Sequence, residues 1–151
     1  MSKSPIRYPN DEFERLWVEG EINDTDYRNT IDFTTSIEEF QISSAVLETT
    51  LVSRNNSMGK IRWNSSVPKS GEYYFVMCFT KAEELEVNAI WEFDISINGY
   101  PWSTATLEIY LDAIFLRYEP IKADSLENVN FSLDPTNRSS TGVIINALAI
   151  Y

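Results

Sequence analysis

The chain has 151 residues, enough for one domain with a buried core that does not depend on disulfide bonds. It carries 23 acidic and 12 basic residues, so its net charge of −11 would repel a nucleic-acid backbone or an anionic membrane surface. It has no histidine, which removes the commonest metal ligand and the usual general base near neutral pH. Its single cysteine, Cys78, lies in an apolar run that predicts a buried, inert thiol.

The N-terminal segment, residues 1–17, predicts a strand followed by one amphipathic helical turn. A proline follows Tyr8 and biases that residue towards an extended conformation. Phe13, Leu16 and Trp17 then follow at i, i+3 and i+4 spacing, which places three large apolar side chains on one face of a turn. We expect this face to dock on an apolar surface, either a preceding unit or the domain's own sheet.

Strand patterns dominate the remaining sequence, and no long helical period appears. In chain order the expected strands are Ile31–Thr35, Phe40–Ser53, Lys60–Asn64, Tyr73–Thr80, Trp91–Ile97, Thr104–Leu111, Ala113–Tyr118, Asn130–Leu133 and Val143–Tyr151. The expected loops are Glu19–Asn29, Arg54–Gly59, Lys81–Ala89 and Pro120–Asn128. The number and spacing of these strands, with a composition of four Trp, eight Tyr and eight Phe, predict an all-β sandwich forming one domain over residues 1–151.

Two strands and one turn have the clearest patterns. Tyr73–Thr80 is almost continuously apolar, which is typical of a strand covered on both faces. Trp91–Ile97 alternates strictly, with its four apolar side chains on one side and Glu92, Asp94 and Ser96 on the other. Asn98-Gly99 follows, and this dipeptide accepts the positive φ angles that a two-residue hairpin turn requires.

Five blocks in the same order resemble the plant malectin-like domains of receptor-like kinases. The first, Arg7-Tyr8-Pro9-Asn10-Asp11-Glu12-Phe13-Glu14-Arg15-Leu16-Trp17, resembles the family signature Arg-Tyr-Pro-Asp-Asp-x-Tyr-Asp-Arg-Ile-Trp. The others are Phe40–Thr49, in which Ser43 replaces the family's proline, Tyr73–Phe79, Glu92–Gly99 and Ile145–Tyr151. The resemblance implies a jelly-roll-like β-sandwich of the malectin and galactose-binding-like kind, and specifically the second of two tandem units.

The same resemblance implies a non-catalytic recognition module on the extracellular side of the plasma membrane. Its expected partners are a preceding malectin-like unit and a protein, peptide, co-receptor or cell-wall ligand, with the loops Arg54–Gly59 and Lys81–Ala89 making contacts. Residues 1–4 contain no apolar core and no stretch is long enough to span a bilayer. We therefore expect a parent receptor to supply the leader and the membrane anchor.

Catalysis has little support in the residues. Neighbouring carboxylates occur at Asp11/Glu12, Glu38/Glu39 and Glu83/Glu84, whereas a glycosidase needs two carboxyl groups facing each other across a cleft. The five glycines are scattered and form no phosphate loop, and serine has no histidine partner. Asp24 and Asp26 lack the spacing of a calcium loop. The sequence predicts a non-enzyme without a cofactor or a metal site.

The alternative function is a carbohydrate-binding module for neutral oligosaccharides. Trp63, Tyr100 and Trp102 each lie beside an expected turn and would stack on sugar rings, while Glu83 and Glu84 would accept hydrogen bonds from hydroxyl groups. The structural alternative, which we favour for each of these aromatic residues, is that Trp63 fills the sandwich core and that Tyr100 and Trp102 lie over a sheet edge. Animal malectin, in this comparison, places a Tyr-Phe pair after the strand that matches Tyr73–Phe79, and no aromatic residue stands there in this chain. The family's sugar-binding residues therefore do not carry over. A third alternative is a unit that only spaces other domains.

Five sequons support passage through the secretory pathway. The motif Asn-x-Ser/Thr is the acceptor for N-linked glycans in secreted proteins. It occurs at Asn23, Asn55, Asn64, Asn130 and Asn137. An ordinary surface rich in serine and asparagine would also produce such motifs.

Overall fold

The computed structural model describes residues 25–29, 44–47, 49–53, 59–66, 72–80, 88–107, 113–117, 121–122 and 128–150. The described residues form one short helix, α1 (Ser44–Leu47), and strands that all pair antiparallel. The strands are β1 (Thr25–Asn29), β2 (Thr49–Ser53), β3 (Ile61–Ser66), β4 (Glu72–Tyr73), β5 (Phe75–Thr80), β6 (Trp91–Ile97), β7 (Tyr100–Leu107), β8 (Ala113–Arg117), β9 (Ile121–Lys122), β10 (Asn128–Pro135), β11 (Ile144–Ile145) and β12 (Ala147–Ile150).

The molecule is a β-sandwich, as the sequence predicted. One sheet has the strand order β3-β10-β6-β7, and a second has the order β12-β5-β8. Edge-to-face aromatic pairs join the two sheets: Phe75 meets Phe131 with ring centroids 5.2 Å apart, and Phe79 meets Phe93 at 5.0 Å. A third sheet, β1-β2-β11, continues into the second because β11 and β12 are separated by Asn146 alone.

The two strands with the clearest sequence patterns are confirmed, except that the expected strand Tyr73–Thr80 is divided: Tyr73 belongs to β4, which pairs with β9 in another sheet, and β5 begins at Phe75. All six residues of β5 are buried, and Cys78 among them has a pKa raised well above its ordinary value because burial disfavours the thiolate. In β6 the four alternating apolar residues are all buried in the core. Asn98 and Gly99 have φ angles of +52° and +79°, so the predicted hairpin turn with positive φ joins β6 to β7.

Three predictions about local structure were wrong. The expected loop Glu19–Asn29 contains β1, and the expected loop Pro120–Asn128 contains β9 and the first residue of β10. The expected strand Phe40–Ser53 contains α1 before β2. The missed strands pair with segments distant in the sequence, which no local pattern indicates: β1 pairs with β2 from Thr25↔Ser53 to Asn29↔Thr49, and β9 pairs with β4 at Glu72↔Lys122 and Tyr73↔Ile121. The expected strand Ile31–Thr35 lies outside the described residues.

Asn146 connects three elements of the fold. Its side-chain oxygen accepts a hydrogen bond of 2.7 Å from the Thr80 backbone N–H at the end of β5. Its side-chain nitrogen donates to the Thr80 hydroxyl at 2.7 Å and to the backbone carbonyl of Leu47, at the end of α1, at 3.4 Å. Its backbone N–H donates to the Cys78 carbonyl at 2.9 Å. The amide therefore replaces ladder bonds at the point where β11 passes into β12.

Candidate functional site

Trp63 lies on the inner side of the four-stranded sheet. It is the third residue of β3 and not beside a turn, so its expected position was wrong. Its cross-strand partner is Phe131, and the two rings stack with centroids 4.9 Å apart and an interplanar angle of 13°. The indole is partly buried and packs against the core, so it is not a free platform for a sugar ring.

Trp102 also packs into the core. It is the third residue of β7, which begins at Tyr100 because the turn uses only Asn98 and Gly99. A register shift between Ile95 and Ser96 displaces the pairing in this part of the hairpin. The residue is 9% exposed and belongs to the main core cluster. The expectation of an exposed stacking ring at Trp102 is therefore corrected.

Tyr100 keeps the exposure that a binding aromatic requires. It opens β7 directly after the turn, opposite Ile97, and 77% of its surface is accessible. Of the three aromatic residues expected to contact sugar, it is the one whose ring is open to solvent. A single exposed tyrosine is an ordinary surface feature, and two rings facing one groove would be the stronger sign of a lectin site.

The outer face of the four-stranded sheet is a polar surface, and we call it the polar face. It comprises Arg62, Asn64, Asn128, Asn130, Ser132, Asp134, Asp94, Ser96, Thr104 and Thr106. Asp94 and Asp134 are direct cross-strand partners, an arrangement that repulsion disfavours. Lys60 offsets the charge of Asp134 with an ion pair of 2.5 Å. The Thr104 hydroxyl donates to Asp94 at 2.7 Å.

Glu92 is a buried carboxylate that the sequence pattern placed on the solvent side of its strand. The alternation in β6 assigned it to the solvent side, yet its side chain is 9% exposed. Its carboxylate accepts hydrogen bonds from the hydroxyl groups of Thr136 at 2.6 Å and Thr106 at 3.3 Å. Arg138 forms an ion pair with it at 3.3 Å. These partners include a turn far along the chain, so no local signal in the sequence could have indicated the burial.

The backbone of Glu92 holds the same turn. Its carbonyl accepts the Thr136 N–H at 3.0 Å, and its own N–H donates to the Ser139 hydroxyl at 3.1 Å. The Ser140 N–H adds a 2.7 Å bond to the Ile90 carbonyl. These contacts pair the Glu92 carboxylate with Thr106, Thr136 and Arg138 and hold the turn after β10 against β6. The role of Glu92 is therefore primarily structural.

Replacement of Glu92 by alanine should lower the free energy of unfolding by about 1–3 kcal/mol, because two hydroxyl groups and a guanidinium lose a buried acceptor. Arg138→Ala should cost only about 0–1 kcal/mol, since the Arg138 side chain is 66% exposed and solvent screens its charge. Urea denaturation measures both. Asp94→Ala, on the same strand but exposed, is the matched control. An Arg138 effect as large as that of Glu92 would contradict the assignment.

The remaining expected site residues lie outside the described part of the chain. They are Glu83 and Glu84 of the acidic loop, Tyr8, Phe13, Leu16 and Trp17 of the N-terminal segment, and the sequon residues Asn23 and Asn55. Three sequon residues are described: Asn64 in β3, Asn130 in β10 and Asn137 in the turn that follows, all exposed.

The described residues include groups that can bind a polar partner. In these ranges no cluster of three or more His, Cys, Asp or Glu side chains could hold a metal ion. The Cys78 thiol is buried, with a raised pKa. The polar face presents amides, hydroxyls and charges suited to hydrogen-bonding a polar partner. Within the same ranges no helix is long and apolar enough to cross a membrane.

Comparison with known sequences matches the resemblance read from the five blocks. A family model described as the malectin-like domain covers residues 1–151. A probable LRR receptor-like serine/threonine-protein kinase of Arabidopsis thaliana is 29% identical over 151 residues, which cover 98% of this chain. The alignment takes in 17% of the length of that kinase, so the chain corresponds to a small part of such a relative.

Comparison with solved structures matches the fold. The ANXUR1 extracellular domain from Arabidopsis thaliana superposes with a TM-score of 0.77 at 15% identity, covering 98% of this chain and 45% of that one. The plant receptor-like kinase FER superposes with a TM-score of 0.64 at 14% identity, covering 98% and 39%. At these identities the likeness concerns the fold. Because the family model spans all 151 residues, the chain belongs to the malectin-like domain family.

Proposed function

We propose that this chain is a non-catalytic recognition module on the extracellular side of the plasma membrane, within a plant receptor-like kinase. The observation that supports it most is the alignment of 98% of the chain with 45% of the ANXUR1 extracellular domain. That proportion fits one of two tandem units, and the first sequence block favours the second unit, because the family signature that it resembles opens that unit. The relatives are themselves described as receptor-like kinases.

The proposed ligand is a protein or peptide. Trp63 and Trp102 turn inward and therefore offer no aromatic platform for a sugar ring, which favours a protein or peptide over a carbohydrate. Loops at the ends of the sandwich, including Glu83 and Glu84, are proposed to add contacts. Phe13, Leu16 and Trp17 are proposed to pack against a preceding unit. The sandwich would then hold the loops in place.

An ectodomain interaction screen tests this proposal. The chain, displayed as a multivalent fusion, is applied to a panel of secreted plant proteins, receptor ectodomains and peptides, and hits are measured with the monomer. We expect saturable binding to a protein or peptide and no turnover of it. Binding to sugars alone would overturn the choice of ligand. A panel that yields cleavage or modification of a partner would overturn the non-catalytic role.

The second candidate is recognition of neutral oligosaccharides, and the exposure of Tyr100 favours it. If this ring stacks on a sugar, Tyr100→Ala should weaken binding about tenfold, equivalent to about 1.4 kcal/mol, while Tyr100→Phe should retain it. The measurement is an array of maltose-type, cellulose-type and pectic oligosaccharides, with hits followed by intrinsic tryptophan fluorescence. Equal binding by the alanine and phenylalanine variants would remove Tyr100 from the site.

A further inference from the structure

Two sequons from distant parts of the sequence lie side by side on the polar face. Asn64 begins Asn-Ser-Ser in β3, and Asn130 begins Asn-Phe-Ser in β10. The two asparagines are direct cross-strand partners, and both are exposed. The pairing of β3 with β10 brings the two acceptor amides together.

Hydrogen bonding shows which kind of cross-strand pair this is. The Asn130 carbonyl accepts the Asn98 N–H at 2.7 Å, and the Asn130 N–H donates to the Asn98 side-chain oxygen at 2.9 Å. Both backbone groups of Asn130 therefore point towards the β6 side and away from β3. Asn130 and Asn64 form a non-hydrogen-bonded pair, in which the Cα atoms are only about 4.5 Å apart and the side chains are close.

Both side chains are placed for modification. In a strand, residues two positions apart share a face, so Asn130 and Ser132 lie together on the polar face while Phe131 points into the core. Asn64 occupies the same face of β3. An N-linked glycan is a bulky, solubilising group that suits a polar surface facing solvent, and Arg62 and Ser132 provide such surroundings.

The spacing leaves room for one glycan. Cβ atoms of directly opposite residues are about 4.5–5.5 Å apart, and non-bonded carbon atoms need about 3.5–4.0 Å. Two branched sugar chains attached at that separation would compete for the same volume from the first ring outward.

We propose that Asn64 and Asn130 form one N-glycosylation site that carries a single glycan, which covers the polar face. This inference rests on the extracellular location in the proposed function. In the transfer, the asparagine amide nitrogen loses a proton and bonds to the anomeric carbon of a lipid-diphosphate-linked oligosaccharide. The lipid diphosphate leaves with the electron pair of the broken bond. A glycan here would direct protein recognition to the ends of the sandwich.

Intact mass spectrometry tests the proposal. The chain is secreted from eukaryotic cells behind a signal peptide, with Asn23→Gln, Asn55→Gln and Asn137→Gln leaving only the paired sequons. We expect folded protein with one glycan and none with two. A folded species carrying two glycans would overturn the proposal. So would the absence of glycan from both asparagines while Asn137 is modified in the parent chain.

Single variants provide a second measurement. In the parent chain, Asn64→Gln should raise the occupancy of Asn130, and Asn130→Gln should raise that of Asn64. Ser66→Ala and Ser132→Ala remove the same sequons without changing the asparagines, and they should have the same effects. Asn137→Gln is the matched control and should leave both occupancies unchanged. Independent occupancies would overturn the proposal. Modified Asn137 shows separately that the chain meets the transferase, whatever ligand it binds.

Discussion

Replacement of Phe131 by alanine should lower the free energy of unfolding by about 3–5 kcal/mol, the expected cost of a large cavity in a well-packed core. Phe131 is 2% exposed and lies where the two main sheets meet. Its ring stacks on Trp63 at 4.9 Å and meets the edge of Phe75 at 5.2 Å. The variant therefore loses two aromatic contacts as well as buried apolar area. Against a typical total of about 5–15 kcal/mol, this loss is severe.

Equilibrium urea denaturation, followed by circular dichroism and tryptophan fluorescence, measures the loss. Phe131→Leu keeps most of the volume and should cost about 1–2 kcal/mol. Ser132→Ala is the matched control on the same strand, with its side chain on the polar face, and should change stability by about 0.5 kcal/mol or less. A Phe131→Ala effect no larger than that of the control would show that this contact between the sheets is not a main part of the core.

Asn146→Ala should lower the free energy of unfolding by about 2–4 kcal/mol, or the melting temperature by about 5–10 °C. The side-chain amide forms two hydrogen bonds with Thr80 at 2.7 Å and another with the Leu47 carbonyl at 3.4 Å. Alanine leaves the Thr80 N–H and the Leu47 carbonyl without that partner in a partly buried region. The penalty for unpaired groups exceeds the net strength of the bonds themselves.

A graded series separates this explanation from a simple loss of packing. Asn146→Asp keeps an acceptor for the Thr80 N–H but cannot donate to Leu47, so its loss should fall between those of the parent and the alanine variant. Asn137→Ala, an exposed asparagine in the turn after β10, should be nearly neutral. Thermal unfolding by circular dichroism gives the order. If aspartate and alanine proved equally damaging, the acceptor role of the amide would be ruled out.

The polar face illustrates how far local patterns reach. A strand alternates with period two, so the printed residues alone show that Asn130 and Ser132 share one face. They do not show which strand lies beside β10 or in what register. Those facts come from pairings such as Asn130↔Asn64, between residues far apart in the sequence. The proposed single glycan depends entirely on that register.

The burial of the aromatic residues and of Glu92 also depends on segments that are distant in the sequence. Position beside a turn suggested exposed rings at Trp63 and Trp102, but the inward side of each strand is set by the opposite sheet, and both rings pack against the core. Glu92 lies on the polar side of its strand, but Thr136 and Arg138 cover it because the turn after β10 folds back over β6. A local pattern contains no information about such covering groups.

By itself, the sequence determined the fold class and the family. The alternation in Trp91–Ile97 and the apolar run in β5 specify strands directly, and Asn98-Gly99 specifies its turn because few residues accept positive φ. The five sequence blocks indicated the malectin-like family. Tertiary structure decided which polar groups are buried and which asparagines meet. The physical reason is that backbone preferences act between neighbours, whereas burial and cross-strand pairing depend on segments that only folding brings together.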